Sequence, residues 1–139
     1  MAQPQSPIDV IAEAPTAEAA ARTLINGAAM AFTRTDTPAG CLLASSAIAV
    51  SAEAEDVKEE LAAIRREIEA ALRDKIAAGI DAGDVPGTAD PTALAAFVIT
   101  AIQGLSTLAR DGGSRAKLQQ VAKLAMLVWP SEDSATDVR

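Results

Sequence analysis

The sequence predicts an all-α protein, an antiparallel bundle of about five helices. Two observations indicate this fold class. Alanine, the residue with the highest helix propensity, is abundant, while β-branched and aromatic residues are sparse. Apolar residues also recur at spacings of three and four in segment after segment, which is the period of an amphipathic helix. We therefore expect helices to bury one apolar side each in a shared core.

Residues 1–15 are predicted to be a leader. Met1 to Pro7 is rich in Gln, Ser and Pro, and Ile8 to Ala14 has the composition of the end of a helix that starts upstream. The first complete helix is predicted from Thr16 to Thr33. Thr16 is a suitable N-cap, and apolar residues follow it at helical spacing. A turn is expected over residues 35–40, where proline and glycine occur.

Cys41 to Val50 is an apolar run whose period does not distinguish a buried strand from a buried helix. No other segment offers a partner strand, and an isolated strand would leave backbone groups unpaired. We predict a short buried helix here. The longest helix is predicted within Ala54 to Ala82, where a single apolar stripe runs through Val57, Leu61, Ile64, Ile68, Leu72, Ile76 and Ile80.

Two further helices are predicted to follow. Asp90 and Pro91 suit an N-cap and the first helical position, and the helix that they begin is apolar on more than one side. Gly104 inside it indicates either a close approach of another helix or an exposed position. Ser114 is expected to cap the last helix. Residues 16–130 are therefore interpreted as one helical domain, and residues 131–139 as a polar tail.

The composition also excludes several function classes. The formal net charge is −7, so the chain itself is a poor candidate for nucleic-acid binding. There is no histidine and only one cysteine, Cys41, so we predict no enzyme, no metal site and no cofactor. The start of the chain lacks the pattern of a signal peptide, and the strongest apolar run is too short to cross a bilayer. We interpret the protein as cytoplasmic.

The order of several short motifs resembles the C-terminal regulatory domain of the TetR family of bacterial repressors, from about Thr16 to Pro130. The motifs are Gly40-Cys41-Leu42-Leu43, Ile68-Glu69-Ala70-Ala71-Leu72, Gly83-Asp84-Val85, Asp90-Pro91, Gln103-Gly104-Leu105 and Leu108-Ala109-Arg110-Asp111-Gly112. The resemblance implies an effector-sensing, homodimerising part of a repressor. The resemblance further implies an N-terminal helix-turn-helix that binds operator DNA, and this sequence has no room for one ahead of Ile8. We therefore expect DNA binding only through a domain that this chain lacks.

The resemblance also implies two sites. The effector pocket is expected to be lined by Ile25, Met30, Ile64, Ile68, Phe97 and Ala101. None of these residues is charged, which favours a small hydrophobic effector that is neutral or weakly polar. The dimer interface is expected on the last two helices, with Leu105, Leu108, Val121, Leu124 and Val128 as contacts. The alternatives stay open, because the six pocket residues are also typical of plain core. A sensor should contain an enclosed apolar cavity between the long helix and its neighbours, whereas a helical protein–protein interaction module without a small-molecule pocket should be packed solid and expose a groove.

Overall fold

The computed structural model describes residues 5–35 and 52–131. These residues form five α-helices and no strand, in agreement with the predicted fold class. The helices are α1 (Pro7–Glu13), α2 (Ala17–Ala31), α3 (Ala52–Ala82), α4 (Pro91–Arg110) and α5 (Arg115–Met126). The helix predicted at Cys41 to Val50 lies outside the described residues.

The three predicted N-caps and the predicted glycine after the long helix are confirmed. The side chain of Thr16 accepts a hydrogen bond from the amide of Ala19 at 3.1 Å, and Asp90 and Ser114 cap α4 and α5 in the same way. Gly83 follows α3 with a φ of 85°, the left-handed conformation that glycine adopts without steric cost. The long helix is therefore ended by its own sequence before residues 83–90 turn the chain into α4.

α1 belongs to the bundle, although the sequence indicated only the end of an upstream helix here. It begins at Pro7 and has its own N-cap, Ser6, which accepts from the amide of Asp9 at 3.1 Å. Ile11 is 3% exposed and lies in the common core. Nζ of Lys75 on α3 donates to the carbonyl of Ala14 at 2.8 Å, just beyond the end of α1. This bond places a cation where the helix dipole favours one.

α2 is the central helix, and it contacts each of the other four described helices. Small residues allow this crowding, because Ala20, Ala21 and Ala29 are all fully buried around Ile25. Alanine side chains let neighbouring backbones approach closely while the helix keeps its best propensity. The abundant alanine of the sequence therefore builds the contact surface of this one helix.

The apolar stripe of α3 is buried in its second half only. Leu72 and Ile76 are fully buried and Ile68 is 8% exposed, whereas Val57 and Ile64 are 49% and 44% exposed. The stripe predicted from the sequence is thus continuous, but the described helices cover it only from about Ile68 onward.

Candidate functional site

A cleft of about 490 Å³ opens beside α2, between α1, α3 and α4. It is a groove that is open to solvent on one side rather than an enclosed cavity. Its size lies within the range of about 300–1,000 Å³ that is usual for small-molecule sites. The residues that line it are Gln5, Pro7, Val10, Thr23, Leu24, Gly27, Ala28, Ala31, Phe32, Arg65, Ile68, Ile99, Ile102 and Gln103.

Helical spacing explains how each helix presents a wall. On α2, Leu24, Ala28 and Ala31 are three or four positions apart and so share one side of the helix. On α4, Ile99 and Ile102 have the same relation. The cleft is therefore a product of regular helix faces and needs no special backbone geometry.

Gly27 creates part of the open space. It lies in α2 between two other lining residues, and a Cβ at this position would meet no atom within 4 Å. A glycine inside a helix costs about 1 kcal/mol of stability relative to alanine. Any larger side chain at position 27 would project into the cleft and reduce its volume.

A second, more polar groove of about 320 Å³ adjoins the cleft between α3 and α4. The two share Arg65, Ile99 and Gln103. The residues that only the second groove contains include Arg66, Glu69 and Thr100. The three shared residues are the common border of the two spaces, so together they line a depression that is apolar beside α2 and polar between α3 and α4.

Three of the six predicted pocket residues lie on α3 or at the core of α2. Ile68 lines the cleft. Ile25 is fully buried in the core. Ile64 lies one turn before Ile68 on α3, is 44% exposed and does not line the cleft. Of these three, only Ile68 reaches the open space.

The other three predicted pocket residues face elsewhere. Met30 is 43% exposed, and its sulfur accepts a hydrogen bond from Nε2 of Gln119 on α5 at 3.3 Å. Phe97 and Ala101 are partly buried on α4, roughly half a turn around the helix from Ile99 and Ile102. They therefore lie on the side of α4 away from the cleft, in the same stripe as Leu108.

The second half of α5 and the turn that follows it carry an exposed apolar strip. Leu124, Leu127 and Val128 are 63%, 76% and 57% exposed, and Val121 is 39% exposed. Three of these four, Val121, Leu124 and Val128, were predicted as dimer contacts, and Leu127 was not among the predicted residues. The remaining two predicted contacts lie on α4, where Leu105 is 1% exposed in the core and Leu108 is partly buried.

α4 shows the same excess of apolar surface. Among the described residues it is the one helix that is long and apolar enough to span a membrane by length and composition alone, and 28% of that stretch is buried. It packs against α2, α3 and α5. A Cβ on Gly104 would meet nothing within 4 Å, so no helix of the described chain approaches this position.

Arg115 joins the start of α5 to the end of α2. Its Nε donates to Oγ1 of Thr33 at 3.1 Å, and its Nη2 donates to the carbonyls of Met30 and Thr33, both at 3.4 Å. A guanidinium at this position complements the negative end of the α2 dipole. Phe32, beside these bonds, lines the cleft, so one short stretch of α2 touches both the cleft and the helix with the exposed strip.

Comparison with known proteins assigns the family. A family model described as the tetracyclin repressor-like C-terminal domain matches residues 18–125. The chain belongs to the TetR family. The transcriptional repressor ComR of Escherichia coli K12, an HTH-type protein, is 34% identical over 99 residues, which are 71% of this chain.

Solved structures of the TetR family agree with the fold. A cysteine mutant of the regulator CifR, in complex with 26-bp operator DNA, superposes with a TM-score of 0.80 at 33% identity over 89% of this chain. A TetR transcriptional regulator from Rhodococcus sp. RHA1 gives 0.75 at 30% identity over 88%. The chain spans 47% of the length of ComR and 65% of each of these two regulators.

Sequence reasoning missed most of the cleft because it treated the apolar stripe of each helix as the wall. One signal was present. Gly27 interrupts α2 between Leu24 and Ala28, and a glycine inside an otherwise alanine-rich helix, at a cost of about 1 kcal/mol, suggests a packing or functional reason for that position. Pairing that glycine with the adjacent face of α4 would have selected Ile99 and Ile102.

Proposed function

We propose that this chain is the effector-sensing and homodimerising domain of a TetR-type transcriptional repressor. The observation that carries the proposal is the cleft beside α2, which has the volume and the mainly apolar lining of a small-molecule site in a chain of this regulatory family. A sensor was expected to hold an enclosed cavity and a helical interaction module to expose a groove, and the cleft is open on one side. The proposal of a sensor therefore rests on the family together with the volume and lining of the cleft.

The effector of this proposal is a small hydrophobic molecule whose body lies against α2 and α4. Burial of apolar surface drives such binding, at about 25 cal/mol for each Å² removed from water. Ile68, from the six residues predicted for the site, contributes to this surface together with Leu24 and Ile102. The pocket roles of the other five residues stay predictions, which substitution of each residue can test: Ile25, Met30, Ile64, Phe97 and Ala101.

The cleft can be tested with a neutral fluorescent dye, N-phenyl-1-naphthylamine. We expect the unmodified chain to bind it and Gly27→Leu to weaken binding by about tenfold or more, a loss of about 1.4 kcal/mol. Gly27→Ala is the matched control, because it adds one methyl group and should leave most of the affinity. Equal dye binding by Gly27→Leu and the unmodified chain would contradict the sensing site.

The dimer of this proposal forms through α4 and α5. Monomers rarely leave large contiguous apolar patches exposed, and Leu124, Leu127 and Val128 form such a patch at the end of α5 and in the turn after it. The stripe of Phe97, Ala101 and Leu108 on α4 extends apolar surface beyond the core. Two copies could bury both helices in a four-helix arrangement with twofold symmetry.

Sedimentation velocity tests this interface. The unmodified chain should sediment as a dimer, and Leu124→Glu should shift it to monomer because a carboxylate would be buried without a partner. Gln119→Glu places the same charge on an exposed position about 140° around α5 from Leu124 and should leave the dimer intact. A monodisperse monomer for the unmodified chain would contradict the interface.

The parent repressor is proposed to act in the cytoplasm and to contact DNA through its helix-turn-helix, with no catalytic step. The helical domain is proposed to extend over residues 16–130 with α1 packed against it. Operator release would follow when effector binding changes the geometry of the dimer. This requires that the effector bind the two states of the dimer with different affinity.

A further inference from the structure

The effector cleft does not end at its apolar wall. Arg65, Ile99 and Gln103 line both the cleft and the polar groove, so a ligand that passes these residues would lie in both. A molecule limited to the apolar part would leave the groove to water. The common border of the two spaces therefore indicates a ligand that reaches past the apolar cleft to these three residues.

The two ends of this depression differ in chemistry. The end beside α2 presents Leu24, Ala28 and Phe32, whereas the end between α3 and α4 presents Arg66, Glu69 and other polar side chains. A ligand that satisfies both ends is amphipathic. Its apolar body would displace water from the first end, and its polar group would replace water in the second.

The charged side chains that line the groove favour a ligand whose polar group is negatively charged. Arg65 and Arg66 carry two positive charges and Glu69 carries one negative charge, which leaves a local excess of one positive charge. The chain as a whole carries −7. Charges beyond about 8 Å are screened at physiological salt, so the groove's own side chains dominate at the site.

Arginine is also suited by geometry to a carboxylate. Its planar guanidinium presents five N–H donors and can bind both oxygens of a carboxylate. With five N–H donors, Arg65 can donate hydrogen bonds to a ligand while its other donors stay bonded within the protein. Gln103, shared by the two spaces, adds an amide that donates hydrogen bonds at their junction.

Building on the proposed sensing function, we propose that the effector is an amphipathic monocarboxylate, with its apolar body in the cleft beside α2 and its carboxylate between α3 and α4 at Arg65 and Arg66. This revises the expectation of a neutral effector, which came from six uncharged residues of which only Ile68 lines the cleft. Arg65, one turn before Ile68 on α3, supplies the charge that those six residues lacked.

The test compares decanoate with 1-decanol, which share an apolar chain but differ in the headgroup. Displacement of N-phenyl-1-naphthylamine reports both affinities. We expect the unmodified chain to bind decanoate about tenfold more tightly than decanol. Arg65→Met should bring decanoate to the level of decanol without weakening decanol, and Arg65→Lys should restore part of the difference.

A second variant should change the affinity for decanoate in the opposite direction. Glu69→Gln removes the negative charge of the groove and should tighten decanoate binding severalfold with no effect on decanol. Circular dichroism confirms that each variant remains helical. Equal affinity of the unmodified chain for decanoate and decanol, or an equal loss of both in Arg65→Met, overturns this inference alone. Failure of the dye and both decyl compounds to bind overturns the proposed sensing function as well.

Discussion

Replacement of glycine by alanine at two positions inside helices should change the stability of the fold in opposite directions. A Cβ on Gly27 of α2 would meet no atom within 4 Å, whereas a Cβ on Gly79 of α3 would lie 2.9 Å from Cγ2 of Val85. Neither glycine has a positive φ, so the backbone at both positions accepts alanine. The difference between the two variants therefore isolates packing from backbone conformation.

The magnitudes follow from the two environments. Gly27→Ala should stabilise the fold by about 1 kcal/mol through helix propensity alone. Gly79→Ala gains at most the same amount but must displace Val85, which is 3% exposed and stiff at χ1. Overpacking of this kind costs about 1–3 kcal/mol, so we expect a net loss of about 1 kcal/mol relative to the unmodified chain and a difference of about 2 kcal/mol between the variants.

Urea unfolding measures this difference, with the chains at one fixed concentration because self-association adds to apparent stability. The midpoint should rise for Gly27→Ala and fall for Gly79→Ala, at an unchanged slope. A midpoint for Gly79→Ala at or above that of the unmodified chain would refute the packing argument. A fall for Gly27→Ala would show that the space beside position 27 is filled in solution.

Four further predictions address the core, the helix ends and the charge. Leu72→Ala should cost about 2–5 kcal/mol in urea unfolding because Leu72 is fully buried, and a loss below about 1 kcal/mol would contradict this. Arg115→Ala should cost about 0.5–1 kcal/mol and Arg115→Lys less, since the cation complements the end of α2; equal losses would contradict the dipole argument. Lys75→Met should speed amide hydrogen exchange in α1 but not in α4, and unchanged exchange in α1 would show that the bond to Ala14 does not hold this helix. Finally, the 139-residue chain should show no micromolar binding to random duplex DNA at low salt, as its charge of −7 predicts, and such binding in a fluorescence titration would be the contrary result.

The helices could be predicted from sequence because their signals are local. Thr16, Asp90 and Ser114 cap the helices that they were expected to cap, and the long helix was placed within two residues of its observed start, Ala52. Each of these features depends on residues within a few positions of one another. α1 was the exception, because its burial depends on contact with α2 and α3, which are distant in sequence.

The candidate site could be predicted only in part. An apolar stripe identifies which side of a helix is buried, but core, cleft and partner contacts all use apolar side chains. Ile25 and Ile68 were therefore grouped although one is core and the other lines the cleft. Phe97 and Ala101 were placed in the pocket because the order of helices was known but not the rotation of α4 about its axis, which only tertiary packing fixes.

The central position of α2 has a consequence for how the chain folds as it is synthesised. α2 is translated before α5, and its contacts with α5 join residues that are 82 positions apart, as between Thr33 and Arg115. Until α4 and α5 follow, Ile25 and its alanine neighbours lack much of their cover, so a nascent chain that ends at Arg110 exposes the side of α2 that α5 later buries. Because long-range contacts slow folding, the translation of α5 should set the time at which the described helices reach their native packing.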